Sequence, residues 1–191
     1  MSGTRDPRIS SPAALDALAS PVRQEIVDTL AMLGGDAPVA ALAGQLGRPA
    51  DGLYYHLRVL SRAGLVAETP PGPAGGRRFA LVRRGQPTLR YRPDDAAARR
   101  ALARIAHGLL AIARRDFDAA LAAGDACVEG PRRTLWAARN TGWLDGDGLA
   151  EANALLARLC ELLGQPRAPG RDTQVGLAFV LAPLRPRPAR R

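Results

Sequence analysis

Residues 39–66 read VAALAGQLGRPADGLYYHLRVLSRAGLV, and this stretch decides the fold. Its first part, Val39 to Leu46, has the composition of a short helix, and Gly47 supplies a turn because glycine adopts the left-handed conformation without steric cost. A second helix is predicted from about Ala50 to Ala63, with Leu53, Leu57 and Leu60 on one buried face. Gly64 ends this helix as a C-terminal glycine. The spacing predicts a helix-turn-helix.

A β-hairpin is predicted directly after the two helices. Its strands are Leu65 to Thr69 and Arg77 to Val82, and the prolines and glycines of PPGPAGG between them favour an open loop over a tight turn. A helix-turn-helix followed by such a loop can present one helix to the DNA major groove and the loop to the neighbouring backbone. The sequence therefore predicts a mostly α fold with a small β-hairpin wing, of class α+β.

Two further helices are predicted before this motif. Ser11-Pro12 and Ser20-Pro21 each begin one, because the first turn of a helix does not need the N–H that proline lacks. The second carries apolar residues at helical spacing and ends at Gly34-Gly35. Residues 1–10 are predicted to be disordered, so the winged helix-turn-helix domain spans residues 11–92.

The second half of the chain is predicted to be a helical dimerisation region over residues 93–183, with a candidate effector role and one or two short strands. Its helices run from Asp94 to Ala123 and from Gly148 to Leu163, and its strands are Thr134 to Ala138 and Gln174 to Leu181. Four apolar residues of the long helix recur at 3-4-3 spacing, which is typical of a helix–helix seam. They are Leu102, Ile105, Leu109 and Ile112, and we expect them to pair across a homodimer.

The chain carries a formal net charge of +9, and every cation is an arginine. Residues 1–92 hold 12 arginines against 7 acids, residues 93–170 hold 10 against 10, and residues 171–191 hold 5 against 1. A GC-rich genome would account for the absence of lysine, but a uniform bias would not neutralise the middle and leave both ends positive. The distribution favours a polyanion-binding module joined to a neutral region. Residues 184–191 are predicted to form a basic, disordered tail.

Three stretches of the chain resemble the winged helix-turn-helix repressors of the arsenical-resistance (ArsR-like) superfamily. They are LASPVRQEIVDTLAML, GLYYHLRVLSRAGLV and GGRRFAL. The likeness covers about Leu15 to Val82 and extends more loosely through RTLWAARNTGWL and the helix after it. It implies that the second helix of the motif enters the major groove of double-stranded DNA while the wing touches phosphate or the minor groove.

The resemblance assigns DNA-facing roles to eight residues. Arg58 could hydrogen-bond a guanine edge or hold a phosphate, and the tyrosines could donate to phosphate. The chain departs from the family just before this helix, where a serine or threonine is common and Arg48-Pro49-Ala50 stands instead. The competing interpretations are a solvated surface helix, a solvated wing loop and a packed His56. The assigned residues are Arg48, Asp51, Tyr54, Tyr55, Arg58, Arg62, Arg77 and Arg78.

Metal and catalytic chemistry are not expected. Cys127 and Cys160 are solitary, and His107 is the only histidine of the second half, whereas a metal site needs about three or four convergent ligands. The sequence holds no glycine-rich phosphate loop and no G-x-S-x-G elbow. We therefore expect no metal, no cofactor and no enzymatic activity.

Four large aromatic residues of the second half are candidates for an apolar pocket that binds a small-molecule effector of unknown identity. Ordinary core packing is the competing interpretation, since scarce large aromatics usually fill cores. The four are Phe117, Trp136, Trp143 and Phe179.

The sequence predicts a homodimeric DNA-binding transcriptional regulator. No apolar run approaches the roughly 20 residues that span a bilayer, and the first residues lack the apolar segment of a signal peptide, so the cytoplasm is expected and no membrane. The alternative is a winged-helix module that binds another protein without specific DNA binding.

Overall fold

The computed structural model describes residues 8–9, 11–73, 75–83, 88–89, 95–165 and 167–185. Within these ranges the helices are α1 (Pro12–Leu18), α2 (Pro21–Met32), α3 (Val39–Leu46), α4 (Ala50–Arg62), α5 (Ala96–Ala123) and α6 (Gly146–Leu163). The strands are β1 (Arg8–Ile9), β2 (Asp36–Pro38), β3 (Val66–Thr69), β4 (Arg78–Leu81) and β5 (Thr88–Leu89). All the predicted helices are confirmed, with ends that differ by one or two residues.

The predicted hairpin is part of a three-stranded antiparallel sheet. β4 lies in the centre, with β3 on one side and β2 on the other. Val66 faces Leu81 in one pair, and Pro38 faces Arg78 in the other. β2 was not predicted, because three residues that end in a proline give no alternating pattern. The helices and this sheet form a winged helix of class α+β, which confirms the predicted fold class.

A second, two-stranded pairing joins the beginning of the chain to the segment after the wing. β1 and β5 are parallel, with Arg8 opposite Thr88 and Ile9 opposite Leu89. Of residues 1–10, which were predicted to be disordered, the structure describes only Arg8 and Ile9, and these two pair with β5. The remaining residues of that stretch, and the tail beyond Arg185, lie outside the described residues.

One hydrophobic core holds the winged helix together. It is built from α1 to α4, the inner face of the sheet and the first half of α5. Leu53, Leu57 and Leu60 of α4 are each at most 1% exposed, so the predicted inner face of this helix is confirmed. The core therefore fixes which side of α4 remains outside.

The first half of α5 packs on α1 and α2 of the same chain. The Gln24 side chain donates to the carbonyl of Ile105 at 3.1 Å and to that of Leu18 at 2.7 Å. A Cβ added at Gly108 would lie 2.9 Å from Gln24 Nε2, so glycine permits this close approach. The Nε2 of this buried side chain makes both bonds, while its Oε1 is buried without a partner among the described residues, and the bond to Ile105 ties α5 to the domain at a defined point.

The predicted dimer seam needs correction. Ile105 is buried in the core of its own chain and is not available to a partner, and Leu109 is half-buried against that core. Leu102 and Ile112 remain half-buried. Two of the four residues at 3-4-3 spacing, Ile105 and Leu109, therefore contact the core of their own chain.

The second half of the chain differs from the prediction in its strands. Thr134 to Ala138 and Gln174 to Leu181 contain no strand. Residues 125–145 form neither helix nor strand, and α6 begins at Gly146. Among the described residues after Gly108, none is buried. No described helix combines the length and apolarity that crossing a bilayer requires.

Candidate nucleic-acid interface

The outer face of α4 is the candidate interface, and it is made by residues that recur every three or four positions opposite the buried leucines. Tyr55 is 62% exposed, Arg58 and Arg62 are exposed, and Tyr54 is half-buried. A helix of this diameter fits the major groove, which is about 12 Å wide. The members of the outer face are Asp51, Tyr54, Tyr55, Arg58 and Arg62.

The start of α4 is fixed by backbone geometry. Gly47 ends α3 with φ of 59°, and Pro49 stands at the N-cap of α4 without a side-chain hydrogen bond. A missing N-cap side chain costs about 1 kcal/mol. Asp51 lies in the first turn, where a carboxylate is favourable against the helix dipole. The charge of Asp51 therefore partly offsets the missing N-cap side chain.

Arg58 and Arg62 are the available cations of the outer face. Both side chains are exposed, and neither forms an ion pair within the described part of the chain. An arginine that has no carboxylate partner can displace a condensed counterion from phosphate or read a guanine edge without first breaking a salt bridge. These two residues give the face its positive charge.

Arg77 connects the wing to α4. Its guanidinium donates to both carboxylate oxygens of Glu68, at 2.7 and 2.8 Å, and lies 5.0 Å from the centre of the Tyr54 ring. The hydrogen bond from Arg77 lowers the pKa of the Glu68 carboxyl, so the pair remains charged at neutral pH. A planar cation that binds a carboxylate with both edges and contacts an aromatic ring holds a defined orientation. Arg77 therefore positions Tyr54 relative to the wing.

Arg78 is paired as well. Its guanidinium contacts Asp36 Oδ1 at 3.0 Å, which links β4 to β2, and its side chain is 26% exposed. Both wing arginines therefore form ion pairs within the sheet, although the side chain of Arg77 is still 52% exposed. Glu68 could have been found from the sequence, because opposite charges on facing strands of a hairpin attract. Asp36 lies outside the hairpin and gives no such signal.

Arg48 belongs to a cluster that sequence analysis missed, here called the Glu25 cluster and made of Glu25, Arg48 and Arg115. The Glu25 carboxylate on α2 is nearly buried and lies 3.5 Å from Arg48 Nη2 and 2.7 Å from Arg115 Nη1. Arg48 stands in the turn before α4, whereas Arg115 is on α5. The cluster therefore links the long helix to the beginning of the DNA-facing helix.

His56 lies on α4 but away from the outer face. It is half-buried, and its Nδ1 is buried without a hydrogen-bond partner within the described residues. Desolvation lowers the pKa of the imidazole, and the positive charges of Arg23 and Arg48 lower it further. His56 is therefore a packed, neutral side chain rather than a reader of bases.

The four aromatic residues predicted to line an effector pocket are not gathered into a pocket in the subunit. Trp136 is 66% exposed and Trp143 is fully exposed, while Phe179 is 42% exposed and Phe117 is only half-buried, so these side chains enclose no cavity. A small cavity of about 240 Å³ lies elsewhere, between α1 and the start of α5. Ligand pockets usually exceed about 300 Å³. In the described ranges no three His, Cys, Asp or Glu side chains come close enough to share a metal ion.

Comparison with known proteins identifies the same region. Residues 18–69 match the family model of a helix-turn-helix domain, which covers slightly more than a quarter of the chain and includes α2, α3, α4 and β3. No curated protein matches the chain with significant similarity. A helix-turn-helix domain indicates DNA binding and transcription regulation.

Proposed function

We propose that this chain is a sequence-specific DNA-binding repressor of the ArsR-like type, which acts in the cytoplasm as a homodimer and has no catalytic activity. α4 enters the major groove, and the sheet places the wing beside the DNA backbone. One observation carries the proposal: the leucine face of α4 is sealed in the core, while its outer face offers exposed Tyr55, Arg58 and Arg62. Two such helices in a dimer contact half-sites about 34 Å apart.

The assignment of roles on the outer face follows from which cations are already paired. Arg58 and Arg62 contact DNA directly in this proposal, because neither has an intrachain carboxylate in the described part of the chain. Arg77 and Arg78 hold the wing, and the half-exposed edge of Arg77 remains able to approach phosphate. Asp51 disfavours phosphate near the start of α4, which directs the close contacts towards Tyr55 and Arg58.

The test begins with selection of bound fragments from genomic DNA, followed by binding isotherms on the selected duplex and on random duplex over a range of salt. Arg58→Ala should lower the affinity for the selected duplex. If Arg58 holds phosphate, affinity for both duplexes falls and the salt slope decreases by about one for each lost contact. If it reads a base, the loss is about 1–3 kcal/mol and is confined to the selected duplex.

Arg114→Ala is the matched control, since Arg114 is an exposed arginine on α5 that pairs with Asp118. Its substitution removes the same charge and should leave the selected-site affinity within about twofold of the unsubstituted protein. Unchanged binding by Arg58→Ala would refute the role of Arg58. No salt-dependent retention on any duplex would support the protein-binding alternative and refute the proposed function.

A further inference from the structure

Arg77 is held by contacts from four different elements. Its backbone carbonyl accepts a hydrogen bond from Val39 N at 2.9 Å, at the start of α3. Its guanidinium donates to both carboxylate oxygens of Glu68 on β3. The same group lies 5.6 Å from the centre of the buried Phe79 ring on β4 and 5.0 Å from that of Tyr54 on α4. Arg77 is therefore the point at which the wing, α3 and α4 meet.

The Tyr54 ring is confined by the hydrophobic core and by Arg77. It is half-buried and packs against the core, and the Arg77 guanidinium lies within the distance of a cation–π contact. Tyr54 stands one helical turn before Arg58, so both side chains point the same way from the outer face of α4. A ring confined by the core and by a fixed cation carries its hydroxyl at a defined position.

Glu68 both orients and neutralises the Arg77 guanidinium. The two side chains are about half exposed, and an exposed ion pair contributes little to stability. The two parallel hydrogen bonds nevertheless restrict the plane of the guanidinium, because only one orientation satisfies both. The Glu68 carboxylate also repels phosphate, so the pair attracts DNA less than a free arginine would. Removing the carboxylate would therefore release a cation beside the DNA backbone and loosen the Tyr54 ring at the same time.

We propose that Glu68 determines the sequence specificity of the DNA-binding surface. It holds Arg77 against Tyr54, so that the Tyr54 hydroxyl meets a base edge in the major groove at one defined position. It also limits the sequence-independent attraction of the wing to phosphate. The inference rests on the proposed function and adds to it a residue that does not itself contact DNA. Glu68 and Arg77 are positioning residues, and Tyr54 makes the contact.

The ratio of the affinities for the selected duplex and for random duplex measures specificity, because a sequence-independent change of charge cancels in it. Glu68→Gln keeps the shape of the side chain and removes its charge. It should raise the affinity for random duplex and lower the ratio by about threefold to tenfold, the worth of one hydrogen bond. Arg77→Lys keeps the charge but cannot bind both carboxylate oxygens in one plane, so it should lower the ratio as well.

Asp36→Asn is the matched control, because it releases the other wing arginine in the same sheet. Asp36 pairs with Arg78 at 3.0 Å and links β4 to β2. Within the described residues Arg78 makes no contact with an aromatic ring, so its release does not reach Tyr54. The ratio of affinities should stay within about twofold of that of the unsubstituted protein, whatever the change in overall affinity. An equal fall of the ratio in Asp36→Asn and Glu68→Gln would overturn the proposal.

A double-variant cycle with Tyr54→Phe separates positioning from a general effect on the wing. Tyr54→Phe removes only the hydroxyl and should itself lower the ratio of affinities. If Glu68 acts through Tyr54, Glu68→Gln lowers the ratio no further in the Tyr54→Phe protein. A further loss as large as that in the single Glu68→Gln variant would overturn the proposal. An unchanged ratio in the single variant would overturn it as well.

The position of the Tyr54 ring can also be followed without DNA, by nuclear magnetic resonance of the full-length protein with isotope-labelled tyrosine. The Tyr54 ring resonances are assigned by their absence from the spectrum of Tyr54→Phe. They should shift in Glu68→Gln and Arg77→Lys and stay in place in Asp36→Asn. Unshifted resonances in the first two variants would overturn the positioning role. An unsubstituted protein that binds no duplex would instead refute the proposed function, and with it the role of Glu68 in specificity, whatever the resonances show.

Discussion

At the scale of single residues, His56 gives α4 a pH-dependent contribution to stability. Its folded-state pKa is lowered by desolvation first and by the charges of Arg23 and Arg48 second. In the unfolded chain the imidazole takes up its proton near pH 6.5. As the pH falls through that value the unfolded state binds more protons than the folded state, so the free energy of unfolding decreases until the folded-state pKa is reached.

We expect the His56→Gln variant to lose less stability than the unsubstituted protein between pH 7.5 and pH 5.5. Urea unfolding of both proteins at the two pH values, at one protein concentration, measures the difference. Asp28, whose pKa is raised to about 6 by desolvation and by the charge of Glu25, titrates in both proteins and therefore cancels in the comparison. Identical pH dependence in the two proteins would contradict the role of His56.

The sequence predicts which residues of α4 lie on its outer face, but it does not predict which carboxylates pair with the arginines. The α-helical period of 3.6 residues places Leu53, Leu57 and Leu60 on one side of α4. The same period places Tyr55 and Arg58 on the opposite side, independently of the rest of the fold. The pairing of Arg48 with Glu25 depends on how α2 lies against the turn before α4. No local pattern encodes that distance, so only the folded chain shows it.

At the scale of elements, the Glu25 cluster couples α2, α5 and the turn before α4. The nearly buried Glu25 carboxylate accepts a charge-assisted hydrogen bond from Arg115 at 2.7 Å and makes a longer ion pair with Arg48 at 3.5 Å. Removing Arg115 leaves Glu25 with only the longer contact to Arg48. The two contacts therefore depend on the same carboxylate and should not be additive.

Glu25→Gln is expected to lower the free energy of unfolding by about 1–2 kcal/mol, since the charge is lost while the shape is kept. Arg115→Ala should cost a similar amount, and the double variant should cost less than the two single variants together. Chemical unfolding of the four proteins gives the coupling energy. Arg114→Ala, which removes a neighbouring exposed arginine, should change stability by less than about 0.5 kcal/mol. Strict additivity of the two single variants would show that Glu25 and Arg115 do not interact.

Some elements are predictable because residues at their own ends mark them, whereas others form only when a neighbouring strand pairs with them. α1 and α2 begin at Ser-Pro pairs, and α4 is followed by Gly64 with φ of 71°, so their ends were predictable. β2 was not predicted because a strand of three residues shows no alternating pattern, and its pairing with β4 depends on the fold. The strands predicted at residues 134–138 and 174–181 are wrong, since β propensity describes how side chains fit a sheet and does not supply the neighbouring strand.

At the scale of the whole molecule, α5 is the element that sets the orientation of the winged helix. It is 28 residues long, which corresponds to about 42 Å. Three contacts fix it against the domain: the Gln24 hydrogen bond to Ile105, the close approach at Gly108 and the ion pair of Arg115 with Glu25. A winged helix held at three points along one rigid helix cannot rotate freely about it. Within each subunit, α4 therefore keeps one orientation relative to α5.

This rigidity makes the spacing of half-sites a sharp test of the proposed dimer. Inserting five base pairs between the half-sites turns one of them to the opposite side of the duplex, because one helical turn is about 10.5 base pairs. In a dimer whose subunits are joined rigidly, the second α4 cannot follow its half-site, so only one subunit can engage and the advantage of linked binding, about 100-fold or more, is lost. Fluorescence anisotropy on duplexes with zero and five inserted base pairs measures the loss, and a duplex with a single half-site shows the level to which affinity should fall. Equal affinity for both spacings would mean that the two subunits bind DNA through a flexible connection, and it would refute a rigidly joined dimer.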